Sequence, residues 1–158
     1  MKTPLRWFAL GTLLFAACFS AVRAAEVPAI SPAEAAKRVA AGTAVLVDVR
    51  EPSEWAESGV AEPAALLPSS DFKGDRTLWK PFLEKQAGKE VILYCRSGRR
   101  SAQVAEKLAT EGVKVANAGG FKDWQAAGLP VRKTKESALA GGGRRSVDAG
   151  GRSPSHRD

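Results

Sequence analysis

The chain has 158 residues, a formal net charge of +7, two cysteines and a single histidine. That length allows one domain with a sizeable core, and so few thiols and imidazoles exclude a Cys/His zinc site. The positive charge lies in the first 24 residues and from Arg132 onward, leaving Ala25 to Val131 neutral, which excludes the clustered basic face that nucleic-acid recognition needs.

Residues 1–24 read as a cleaved export signal. Lys2 and Arg6 open it, Trp7 to Phe19 is almost wholly apolar, and Val22-Arg23-Ala24 offers small residues for a cut after Ala24. The apolar run is short for a bilayer, so the expectation is a periplasmic or secreted protein without a stable membrane span. A signal anchor in the inner membrane is the alternative. Residues 25–134 form the expected domain. Residues 135–158, rich in Gly, Ser and Arg with little to bury, read as a disordered tail.

Within the domain, Ser31-Pro32-Ala33-Glu34 is a helix start, continued to Ala40 and ended by Gly42. Ala44 to Val49 is an apolar run typical of an inner parallel strand, and Pro52 to Trp55 is a brief helical turn beyond it. Leu66-Leu67-Pro68 is a second short strand. Leu78 to Gln86 is a helix with Trp79, Phe82 and Leu83 on its apolar side, and Val91 to Tyr94 is the next strand. Ser101 to Thr110 is a helix, Val113 to Val115 a strand, Gly119-Gly120 a turn, and Phe121 to Ala127 a small helix. Short strands alternating with helices imply a three-layer α/β domain with a mostly parallel central sheet.

Cys95 ends the Val91–Tyr94 strand and opens the polar loop Arg96-Ser97-Gly98-Arg99-Arg100, with Ser101 starting the following helix. Ligands of open α/β sheets gather beyond the carboxyl ends of the strands, and Asp48 and Arg50 fall there too. Amides between Cys95 and Ser101 can converge on an anion, Gly98 permits a left-handed turn, and the arginines add positive charge. A thiol so placed is a candidate nucleophile, held as thiolate. No metal is expected, because Cys95 has no second ligand near it.

Cys95-Arg96-Ser97-Gly98-Arg99-Arg100-Ser101 resembles the active-site loop of the rhodanese family of sulfurtransferases. Asp48-Val49-Arg50-Glu51-Pro52-Ser53-Glu54-Trp55 resembles the family's first motif, and Gly119-Gly120-Phe121 through Gly128-Leu129-Pro130-Val131 its closing motif. The resemblance implies a three-layer rhodanese-like domain, with the central sheet flanked by helices. It also implies a small anionic sulfur donor such as thiosulfate, and a thiol, cyanide or protein as sulfur acceptor. The resemblance implies a covalent persulfide on Cys95 as the intermediate, with no separate cofactor. Arg100 matches the loop's closing basic residue, and which of Arg96 and Arg99 faces substrate stays open. Asp48 and Arg50 carry over as a supporting pair that braces the loop, and Trp55, Phe121 and Trp124 as core or pocket wall.

One departure falls after the first motif, where Val60 stands in place of the family's usual histidine. Two other functions use similar features. Cysteine-dependent phosphatases hold phosphate in a Cys-x5-Arg loop, which would put the arginine at 101, where this chain has Ser101. A non-enzymatic or slow persulfide relay to a partner protein would use the same fold and cysteine.

Overall fold

The structure is a computed structural model that describes residues 26–134. The expected export signal and tail lie outside the described residues. Four parallel strands form the central sheet in the order β3-β1-β4-β5: β1 is Ala44–Asp48, β3 Ala65–Leu66, β4 Glu90–Cys95 and β5 Val115–Gly120. Register runs from Ala44 opposite Glu90 to Asp48 opposite Tyr94, which brings the carboxyl ends of β1 and β4 level. This α/β architecture, with helices on both sides of a mostly parallel sheet, is the one the alternating pattern predicts.

Strand β4 is buried along its whole length and organises two cores by simple alternation. Val91, Leu93 and Cys95 face Trp79 of helix α4 (Trp79–Lys85) and Val104 and Leu108 of α5 (Arg99–Thr110). Ile92 and Tyr94 face Ala35 of α1 (Pro32–Ala40) and Phe121 and Trp124 of α6 (Phe121–Ala126). Helix α1 starts as the sequence indicates, with the Ser31 hydroxyl accepting from the Glu34 amide at 3.2 Å. Tyr94 stacks on both Phe121 and Trp124, so α6 is fixed close to the end of β4.

Several local expectations need correction. The strand expected at Leu66 to Pro68 lies at Ala65–Leu66, and Pro68 caps an unexpected helix α3, Ser69–Lys73. Glu51 secures that helix by accepting from the hydroxyls of Ser69 and Ser70, at 2.9 and 2.7 Å. The last parallel strand is Val115–Gly120 rather than Val113 to Val115. Gly119-Gly120 therefore belongs to a strand and not to a free turn, because the loop after Cys95 packs against it. A Cβ on Gly120 would sit 2.9 Å from the Arg96 carbonyl oxygen. Helix α5 begins at Arg99, two residues before the predicted start. An antiparallel pair, β2 (Val60–Ala61) with β6 (Val131–Arg132), closes the domain and was not expected at all. Val60, at the position that departs from the rhodanese motif, is fully buried in that pair.

Candidate active site

The site forms where β4 ends and α5 begins. Gly98 makes the turn between them with φ +85°, and its Cα lies so near β5 that an added Cβ would meet the Gly119 Cα at 3.2 Å. Glycine is needed here twice over, for the left-handed backbone and for the close approach. The turn folds the chain back over the thiol, so the Gly98 amide donates to Cys95 Sγ at 3.2 Å.

Cys95 is 1% exposed. Burial alone pushes its thiol up, but the Ser101 amide and hydroxyl and the amides of Ser97 and Arg100 outweigh it, leaving the group below its ordinary value. The environment therefore favours a thiolate under a crown of loop donors. Ser101 is fully buried, and its one hydroxyl proton faces three acceptors: Asn117 Oδ1 at 2.8 Å, the Gly98 carbonyl at 2.9 Å and Cys95 Sγ at 3.6 Å. Removing that donor should raise the pH at which Cys95 becomes reactive. Ser101→Ala should slow alkylation by iodoacetamide about fivefold on the acid side of the titration, the effect of losing a bond worth about 1 kcal/mol. An unchanged pH–rate profile would show that Ser101 does not support the thiolate.

Asn117 is a site residue that sequence reasoning missed. Its Oδ1 also accepts from the Gly119 amide at 3.1 Å, and its Nδ2 donates to the Gly98 carbonyl at 3.1 Å. One amide thus ties β5, the Gly98 turn and Ser101 together. The only sequence signal was a polar residue within the small-residue run Val115-Ala116-Asn117-Ala118.

The arginines divide into two kinds. Arg96 and Arg99 are exposed, as is Ser97, and neither arginine has an ion-pair partner among the described residues. Arg100 is partly buried and donates through both terminal nitrogens to the Glu54 carboxylate, each at 2.7 Å. Glu54 belongs to α2, Pro52–Ser58, and its contact with the loop spans 46 residues of sequence.

Asp48 lies beneath the site, and Arg50 reaches from there into the wall of the cavity beside the loop. Asp48 is fully buried and Arg50 is 3% exposed. Arg50 donates to both Asp48 oxygens, to Ser58 Oγ and to the Gly59 carbonyl, and its guanidinium lies 4.2 Å from the Phe121 ring centre. Tyr94 donates its hydroxyl to Asp48 and accepts from the Ala61 amide. The network joins β1, α2, β2, β4 and α6, but none of the guanidinium's bonds reaches residues 95–101. Trp124 is buried in the α6 core, whereas Phe121 also walls a cavity of about 170 Å³. Arg50, Glu54, Glu57, Ser58, Arg96 and Lys122 line most of the rest of it. Trp55 is buried, with its indole N–H unpaired among the described residues.

No group of three or more metal-ligating side chains occurs among the described residues. No helix there is long and apolar enough to cross a membrane.

Residues 31–127 match the family model described as the rhodanese-like domain. The chain belongs to that family. The rhodanese-like domain is 35% identical over 98 residues to an uncharacterized protein of Synechocystis, covering 61% of this chain and 51% of that relative. The chain thus spans about half the length of that relative. It is 34% identical over 95 residues to a protein of Allochromatium vinosum named sulfurtransferase, covering 55% of this chain and 77% of that one. Among solved structures, it is similar to a Rhodopseudomonas palustris protein of unknown function described as a "possible tyrosine phosphatase". That similarity has a TM-score of 0.57 and 28% identity, over 67% of this chain and 85% of the other. In this rhodanese-like domain Arg100 stands five residues after Cys95 and is bound by Glu54.

Proposed function

We propose that the protein is a sulfurtransferase that moves sulfane sulfur through a persulfide on Cys95. The observation that carries this reading is the donor-ringed thiol at the end of β4, backed by membership of the rhodanese-like family. The Cys95 thiolate attacks the outer sulfur of thiosulfate. A new S–S bond forms to Cys95, the donor's S–S bond breaks, and sulfite leaves with the electron pair. The persulfide keeps one negative charge, and its outer sulfur extends about 2 Å further toward the loop mouth. Amides of this loop also face the negative charge shared between the sulfurs in the transition state, and the barrier falls by as much as they hold it more tightly than in either end state. Cyanide or a thiolate then takes the outer sulfur and returns Cys95 as thiolate.

Arg96 and Arg99, exposed and without an ion-pair partner among the described residues, attract an anionic donor to the loop, an effect that added salt would weaken. Asp48 and Arg50 hold the platform beneath and exchange no proton with substrate. The reading includes export of the mature chain to the periplasm or beyond. The purified protein is expected to convert thiosulfate and cyanide to sulfite and thiocyanate. Absence of thiocyanate at high concentrations of both would sink the reading of the protein as a sulfurtransferase for small substrates.

A further inference from the structure

The three arginines of the loop are not equivalent. Arg96 and Arg99 stand at the solvent mouth. Arg100 follows them into the first turn of α5, and its side chain is 27% exposed against 23% for Glu54. Glu54 is itself fixed, because its Oε2 also accepts from the Glu51 amide at 3.0 Å and Glu51 is anchored to α3. Arg100 is held above its ordinary range first by the bond to Glu54 and more weakly by the nearby Cys95 charge. The guanidinium that closes the loop therefore carries a built-in counter-charge.

A donor nearing Cys95 meets Arg100 and Glu54 as a neutral pair. The attraction lost to that neutralisation is twice as large for a dianion as for a monoanion. We propose that Glu54 is a specificity-determining residue that tunes the site toward sulfur donors carrying one negative charge, such as organic thiosulfonates or alkyl persulfides, relative to dianionic thiosulfate. The inference rests on the sulfur-transfer reading above. With a thiosulfonate the chemistry balances in the same way: the Cys95 thiolate bonds to the terminal sulfur, the donor S–S bond breaks, and a sulfinate leaves with the electron pair.

Thiosulfate and methanethiosulfonate separate charge from chemistry, since both deliver a terminal sulfur from an oxidised sulfur centre. The experiment measures kcat/KM for each donor, with cyanide as acceptor, in the full chain and in Glu54→Gln and Arg100→Gln. Glu54→Gln should raise the thiosulfate-to-thiosulfonate ratio about tenfold, the response of one unit of donor charge to one unit of partly exposed site charge. Arg100→Gln leaves Glu54 uncompensated and should lower the ratio by a similar factor. Opposite shifts are something a merely structural pair cannot produce, because loosening the loop lowers both donors together. If Glu54→Gln does not fold, the sign of the Arg100→Gln shift decides alone. Ratios unchanged while both donors load Cys95 overturn the role of Glu54 and leave sulfur transfer standing. Failure of both donors to load wild-type Cys95 overturns both.

Discussion

Replacing Cys95 by serine should leave a folded protein whose thiosulfate:cyanide turnover is lower by at least about 1,000-fold, the scale expected when a covalent nucleophile is removed. The substitution is nearly isosteric, and the serine hydroxyl inherits a partner in the Gly98 amide. A Cys95→Ser protein with the wild-type circular dichroism spectrum and no measurable thiocyanate production is the predicted result. Substantial residual turnover would mean that the buried thiol is not the sulfur carrier.

The second large effect should fall on stability rather than chemistry. Asp48→Asn keeps the shape of the side chain but leaves the Arg50 guanidinium, 3% exposed, without its carboxylate. Breaking one side of a buried pair costs about 3–5 kcal/mol, because the remaining charge is stranded away from water. Arg50 cannot escape by losing its proton. Burial works against its charge, but with the Asp48 carboxylate gone the ordinary value of a guanidinium still lies far above neutral pH. For a domain of this size the loss corresponds to a melting temperature lower by roughly 10–20 °C. Calorimetry on Asp48→Asn checks this, and a shift of only a degree or two would show that the network is not a structural keystone. Phe121 and Ser58, which wall the cavity beside the loop, both rest on Arg50. Activity measured below the new melting point should therefore fall far less than in Cys95→Ser.

The features legible in the sequence were those encoded locally. The Cys95–Ser101 loop, the Ser31 cap and the run Val91–Tyr94 of β4 each follow from a few adjacent residues whose chemistry permits little else. What was missed is non-local or too short to show a period. Strands β2 and β6 have two residues each and pair across about 70 positions, so neither leaves a pattern. Gly119 and Gly120 look like a turn because glycine usually marks one. Gly120 must be glycine because the Arg96 carbonyl approaches it, which only the folded chain creates, and Gly119 takes a left-handed φ of +80° beside the Asp123 carboxylate. Glu54 lay within a motif quoted from the sequence, yet nothing local to it predicts a bidentate bond to Arg100 on another helix. Asn117 was hidden for the same reason, since its partners lie 16 and 19 positions away.

The site combines a thiol that its surroundings favour as thiolate, a small-residue turn that brings amides onto it, and two exposed arginines without an ion-pair partner among the described residues. Those parts suit repeated loading and unloading of one sulfur atom. Intact-mass measurement of the mature protein after brief exposure to thiosulfate tests this most directly. The account predicts a gain of one sulfur atom per chain, discharged by cyanide and absent from Cys95→Ser. An unchanged mass in wild-type protein whose Cys95 still reacts with iodoacetamide would contradict it.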